Sequence, residues 1–225
     1  MLLRTALVQF VLLILAPAIF WVWYSYYSQR RHRQPLVLTA FAFLLGFVAA
    51  WGCVKAYLAL PAIGVPANPS RLLSRPAAFL LYSVLVTGVL EETAKSLPFL
   101  FMTRFRDFGF PGDGIFFASV VALGFASYEN IGYVTTLTGF ELVGRAIASP
   151  LTHSVFASIW GVAFERALIA RTRPVPALIR GVLLAALAHG AFNFLNLAPP
   201  LRILSAVIIL ALWLWRIGLT KRAAP

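Results

Sequence analysis

Acidic residues are scarce in this chain: only seven of 225 residues are Asp or Glu, and all charged residues together make up 12% against 61% hydrophobic. A soluble domain carries roughly twice that charge fraction, so a surface wetted on all sides is excluded. A single cysteine, Cys53, excludes an intrachain disulfide and any cysteine metal cluster, and reads as a packed small residue. No internal repeat, no HExxH zinc motif and no glycine-rich phosphate loop occurs. The net charge of +12 raises nucleic acid as a partner, but the arginines stand in short clusters between apolar segments. That is the pattern of topology signals beside anionic lipid, and it excludes a nucleic-acid surface.

What the chain has in quantity is apolar length. Seven runs long enough to cross a bilayer can be marked: Leu3–Tyr24, Leu36–Leu60, Pro76–Met102, Ile115–Thr136, Ala146–Ala170, Leu178–Ala198 and Leu201–Ile217. They predict an all-α polytopic membrane protein, one integral membrane domain over 1–225 with a polar site in its core helices. The basic cluster "RRHR" (Arg30–Arg33) after the first run marks a retained signal-anchor. Only Pro199 and Pro200 separate the last two runs, which reads as a tight reversal or as one broken helix. With the N-terminus outside, inner segments hold Arg30, Arg31, Arg33, Arg104, Arg106, Arg166, Arg171, Arg173, Arg180, Arg216, Lys221 and Arg222. Outer ones hold Arg4, Arg71, Arg75, Arg145 and Arg202, and twelve against five predicts N-terminus out, C-terminus in. Sixteen arginines to three lysines fit a GC-rich bacterial genome, hence a bacterial cytoplasmic membrane.

Against this background "GVLEETAKSLPF" (Gly88–Phe99) demands a reason, because it sets Glu91, Glu92 and Lys95 inside the third run. Each charge at the membrane centre costs roughly 2.5–3.5 kcal/mol on insertion scales, and such residues are functional suspects. At about 100° per residue Lys95 falls between the two glutamates, able to neutralise one and leave the other available. In the fourth run Glu129 shares a face with Phe125, Tyr133, Ala118 and Ala122. The fifth aligns His153 with Ser149, Ala157 and Trp160; the sixth lines up His189, Asn193 and Asn196. Glu91, Glu92 and His189 lie near their helix centres, while Glu129, His153 and Asn193 lie about 5–8 Å nearer the outer face. Four helices thus deliver carboxylates, imidazoles and an amide to one slab of membrane, open toward the outside. Asp107, Asp113 and Glu141 read as loop residues, solvated or capping, and Glu165 as an interfacial partner of Arg166.

Glutamate with histidine is the minimal set for activating water, as general base or through a metal, and a neighbouring amide can stabilise an oxyanion. Ser154 adjoins His153 in sequence, but residues i and i+1 do not face each other on a helix. Midplane Glu, His and Lys also build proton relays, so a transporter is a rival reading, although no inverted repeat is present. A catalytically inactive scaffold that binds transmembrane partners in the same cavity is the other.

Four motifs in order on successive helices, "EETAK" (Glu91–Lys95), "FASYEN" (Phe125–Asn130), "HSVF" (His153–Phe156) and "HGAFN" (His189–Asn193), resemble the PrsW family of intramembrane proteases, similar in turn to the CAAX prenyl endopeptidase superfamily. The resemblance covers about Pro76 to Ala198, the expected catalytic core. It implies hydrolysis of a membrane-spanning protein at its extracytoplasmic side, an anti-sigma factor in the best-known case. Glu91 and Glu92 match the paired-glutamate motif, His153 the essential histidine, and His189 with Asn193 the HxxxN motif. The CAAX enzymes carry FxxxH where this chain has Phe125-x-x-x-Glu129, and PrsW-type proteins share the glutamate. Water activation falls first to Glu91 with His153, second to Glu91 with His189. Glu91, Glu129, His153 and His189 could ligate a catalytic zinc with one open position, and a metal-free glutamate mechanism uses the same residues. Glu91→Gln and Glu92→Gln are each expected to abolish cleavage in a chain that still inserts and accumulates.

Overall fold

Proline, glycine and short polar turns divide the apolar runs into helices. The computed structural model describes residues 11–28, 33–196 and 201–222. Much of the first predicted run, most of the basic cluster and the Pro199–Pro200 reversal lie outside the described residues. Helix α1 (Ala16–Ser28) follows a π-helical turn, Val11–Leu15. Helix α2 (Leu36–Ala59) follows Pro35, whose carbonyl accepts from the Thr39 hydroxyl, and tightens into a 3₁₀ turn at Leu60–Ile63. Helix α3 (Pro76–Met102) starts with proline at its first position, where the missing N–H has no intrahelical partner to lose. Helices α4 (Asp113–Val134), α5 (Gly139–Ile169), α6 (Pro174–Leu195) and α7 (Arg202–Arg222) complete the bundle. Among the described residues there is no strand, six helices are long and apolar enough to cross a membrane, and α1 is a shorter apolar one.

Helix α4 is the core of the bundle: 83% of its most apolar window is buried, against 11% for α7. It packs on α2 and α5, α5 packs on α6, and α3 lies between α2 and α6. Small residues set these approaches. A Cβ added at Gly124 of α4 would overlap the Phe43 carbonyl of α2, and one at Gly46 of α2 would overlap the Val121 carbonyl of α4. Both obstacles are backbone and cannot rotate away. Gly124→Ala is therefore expected to cost about 1–3 kcal/mol, read as a lower Tm in detergent.

Helix α3 carries a π-helical insertion, Ser83–Gly88, immediately before the paired glutamates. There its backbone touches α6: a Cβ at Gly88 would strike the Ala186 carbonyl, and one at Gly190 would strike Val84. This double contact fixes how far Glu91 and Glu92 stand from His189. Toward the C-terminal end of α3 the site is closed by aromatic rings, with Phe99 5.0 Å from Trp160 and 5.4 Å from Phe164.

Three acidic residues behave differently from expectation. Asp113 is not solvated but fully buried at the start of α4, accepting from the amides of Gly109 and Phe110 and from Gln34 Nε2. Glu165 is not directed to Arg166; it reaches from α5 to accept from Gly112 N at 3.0 Å and Gly114 N at 2.6 Å. The first amides of a helix have no partner within it, so a carboxylate delivered by a neighbouring helix is drawn to them. Glu141 lies in the first turn of α5 rather than in a loop, because that helix begins at Gly139 and not at Ala146.

Candidate active site

Adjacent residues of a helix point about 100° apart, so Glu91 and Glu92 have different surroundings. Glu92 turns into the bundle and is fully buried. Its Oε1 receives Lys95 Nζ at 2.6 Å and His189 Nδ1 at 2.9 Å, and its Oε2 accepts from Trp160 Nε1 at 3.0 Å. Glu91 turns to a cleft. Its Oε1 accepts from the Tyr57 hydroxyl at 3.1 Å, and its buried Oε2 has no hydrogen-bond partner among the described residues. His189 Nε2 lies 3.8 Å and Lys95 Nζ 3.9 Å from that oxygen. Lys95 thus neutralises Glu92 and leaves Glu91 available.

His153 on α5 is held from both sides, its Nδ1 3.0 Å from Lys95 Nζ and its Nε2 3.0 Å from Glu129 Oε2. Glu129 on α4 also accepts from Arg145 Nη2 at 2.9 Å, and the Arg145 guanidinium lies 3.3 Å from the centre of the Tyr133 ring. The two imidazoles meet nearly at right angles, 5.3 Å between ring centres, with Phe156 stacked on His189. Buried charges persist only when paired and hydrogen-bonded. In this network Glu91 Oε2, Glu129 Oε2 and Arg145 Nε lack a hydrogen bond among the described residues. Glu129 Oε2 nevertheless has His153 Nε2 at 3.0 Å, whereas Glu91 Oε2 has no contact that close to a cationic or imidazole nitrogen.

The cleft has a volume of about 930 Å³; Glu91, Glu129, His153, His189 and Asn193 all open on it. Its walls come from the C-terminal ends of α2, α4 and α6 and the N-terminal ends of α3 and α5. Every candidate read from the sequence is therefore at or beside it, Glu92 lying one layer behind. Asn193 is half-buried on its wall. Ser154 bonds the Leu151 carbonyl and takes no part. Three partners were missed. Trp160 had been placed on the His153 face without a role, Arg145 was counted only as a topology charge, and Tyr57 sits in a helix otherwise read as plain hydrophobic.

Glu91, His153 and His189 each offer a ligand atom, all within 4.8 Å of one another. These residues fit a divalent cation. An orphaned carboxylate oxygen faces them, and His189 has its Nδ1 anchored on Glu92, the carboxylate–histidine arrangement that leaves Nε2 for a metal. Both nitrogens of His153 are engaged, so ligation by His153 exchanges one of those bonds; Glu129 retains Arg145 if Nε2 is the one released. Glu129 stands behind His153 rather than within the trio.

Comparison with known proteins finds relatives that match nearly the whole chain. No solved structure matches the chain. The chain is 28% identical to Protease PrsW of Shouchella clausii (strain KSM-K16) over 221 residues, which cover 97% of this chain and 98% of that one. It is 30% identical to Protease PrsW of Oceanobacillus iheyensis over 213 residues, 93% of each. For Protease PrsW of Geobacillus kaustophilus the identity is 28%, over 92% of this chain and 89% of the other. Residues 34–216 match the family described as PrsW family intramembrane metalloprotease. The match runs well beyond Pro76–Ala198 and takes in α2, with Tyr57, and most of α7, where sequence reading had found only hydrophobicity. With a buried carboxylate and two histidines converging on one cleft, and likeness to these proteases from end to end, this chain belongs to the PrsW family of intramembrane proteases and is a multi-pass membrane endopeptidase.

Proposed function

We propose that the chain hydrolyses a peptide bond of a membrane-spanning protein near its extracytoplasmic end, using water activated by Glu91 beside the histidines. The observation that carries this reading is the Glu91 Oε2 atom, buried, without a hydrogen-bond partner among the described residues, and set against His189 Nε2 at the base of the cleft. Glu91 accepts the proton of the attacking water at Oε2 and returns it to the leaving amine. Tyr57 holds Oε1 and fixes the rotamer from which Oε2 works. Glu92 orients His189 through Nδ1, and Glu129, itself steadied by Arg145, orients His153. Of the two pairings expected from sequence, Glu91 with His189 has the shorter approach here, since His153 Nε2 is turned to Glu129. The Asn193 amide donates to the carbonyl oxygen as negative charge develops on it. Glu91, His153 and His189 would hold a divalent cation such as zinc, which supplies Lewis acidity to the water and the scissile carbonyl.

The side on which cleavage occurs follows from topology. The arginine count sets the N-terminus outside, and the helix ends that wall the cleft are those the count assigns to the outer face. A peptide must be unwound before its carbonyl can be attacked, and unwinding is easiest near a helix end, where water satisfies the freed backbone groups. A single-pass protein of the anti-sigma-factor type suits such a cleft. The test compares membrane proteomes of cells expressing the native chain or Glu91→Gln, and maps the new N-terminus of any fragment that depends on Glu91. Cleavage at or just beyond the outer end of a transmembrane helix is expected, with reporter fusions placing the chain's own N-terminus outside. A cut in a cytoplasmic juxtamembrane segment would refute both the site and the orientation.

A further inference from the structure

Helix α7 is the least buried of the six membrane-length helices, yet its Arg216 is only 3% exposed. Sequence reading had counted that arginine as a topology charge, which should reach for the aqueous side. Instead its Nη2 donates to Ser119 Oγ of α4 at 2.8 Å, and its Nε is buried without a hydrogen-bond partner among the described residues. Ser119 is neutral and donates its own hydroxyl to the Ile115 carbonyl. All seven acidic residues of the chain are among the described ones, and none forms an ion pair with Arg216. Lys95, equally buried, has Glu92 at 2.6 Å.

A second donor stands beside it. Trp213 is three residues before Arg216, on the same face of α7, and its buried indole Nε1 also lacks a partner among the described residues. A buried donor left unmatched costs its full desolvation, so two on one face point to an acceptor that no described residue supplies. The place is the seam between α1 and α7. Both helices pack against α5, and α1 also against α4, but they scarcely meet each other. The Arg216 guanidinium lies at that seam, bonded to α4, and the ionisable group close enough to act on it is the phenol of Tyr24 on α1, not a carboxylate. Arg216 also closes the apolar run Leu201–Ile217, which sets it at headgroup depth.

We propose that the seam between α1 and α7 binds the phosphate of an anionic phospholipid, drawn from the leaflet on the C-terminal side of α7 and held by Arg216 Nε and Trp213 Nε1. A phosphate diester supplies what the site lacks, a negative charge and several acceptor oxygens, and the planar guanidinium is shaped to receive two of them. An indole N–H at headgroup depth commonly turns to such an acceptor. A lipid brings its phosphate to the seam from the bilayer side, with acyl chains beside α1 and α7, whereas a free phosphate would have to leave water for apolar surroundings. This site is independent of the protease reading above.

The test titrates lipid onto the full purified chain in neutral detergent and follows bound lipid by native mass spectrometry. Phosphatidylglycerol is expected to bind roughly tenfold more tightly than phosphatidylcholine with the same acyl chains. Arg216→Met is expected to erase that preference, while Arg106→Met, which removes an exposed cation at the same end of the bundle, keeps it. Arg216→Lys retains the charge without the fork and should fall between native and Arg216→Met. In thermal unfolding, phosphatidylglycerol should raise the Tm of the native and Arg106→Met chains but not of Arg216→Met. An arginine with a structural role alone would instead lower Tm equally in the two lipids. Equal binding of both lipids by the native chain would overturn the site and leave the guanidinium to the chain's own terminal carboxylate. Loss of the preference in Arg106→Met would overturn it too, since charge at large would then be responsible. Retention of inorganic phosphate, added together with phosphatidylcholine, in place of the lipid would overturn the lipid assignment. Should Arg216→Met fail to fold, Arg216→Lys decides: a preference equal to the native one would remove the guanidinium from lipid binding.

Discussion

Glu91→Gln is expected to lower turnover about a thousandfold while the chain still inserts, folds and accumulates as the native one does. Glutamine retains the size of the side chain and an oxygen for the Tyr57 hydroxyl, but it can neither take a proton from water nor serve as an anionic ligand. Glu91 forms no close ion pair, its nearest ammonium being 3.9 Å away, so its neutralisation leaves no buried charge abandoned. The loss should therefore fall on rate and hardly on stability. The measurement is single-turnover cleavage by purified variants alongside their thermal unfolding in detergent. Activity within tenfold of native in a well-folded Glu91→Gln protein would remove Glu91 from the chemistry.

Glu92→Gln, which spacing alone made equivalent to Glu91→Gln, is expected to fail in a different way because Glu92 is buried against Lys95. Its carboxylate balances the fully buried Lys95 at 2.6 Å and also holds His189 and Trp160. Taking away one member of a buried pair costs about 3–5 kcal/mol, because the remaining charge stays desolvated and unpaired. The variant should unfold well below the native chain and accumulate poorly. A double variant, Glu92→Gln with Lys95→Met, should recover most of the lost Tm while remaining inactive, since His189 is no longer oriented by an anion. Thermal unfolding of the single and double variants checks this. A Glu92→Gln chain as stable as native, yet inactive, would place Glu92 in direct contact with the reaction instead.

The contrast between these two residues shows how far sequence could reach. That two glutamates and a lysine stood together in a membrane helix, facing two histidines and a carboxylate on three others, followed from spacing alone. Spacing made Glu91 and Glu92 equivalent, however, and their separation depends on rotamers and on Trp160 and Tyr57, which helical periodicity cannot assign. The helices themselves were legible because twenty apolar residues have few alternatives in a bilayer. Glu165 was misjudged because the amides it reaches stand at the start of α4, a tertiary contact with no local signature, and Asp113 because one of its partners, Gln34, comes from 79 residues earlier. Arg145 was weighed as a topology signal, and nothing in its neighbours indicated that Glu129, sixteen residues earlier, would be its partner.

The role of Glu91 toward water is tested most directly by isotope. Excess purified chain is allowed to cleave a single-pass substrate once in water enriched in oxygen-18, and both products and protein are analysed by mass spectrometry. Attack by water that Glu91 activates puts one labelled oxygen into the new carboxylate of the substrate and none into Glu91. Label recovered in the Glu91 side chain would mean that its carboxylate had itself attacked the peptide and been released by water, which would contradict the assignment of Glu91 as the base.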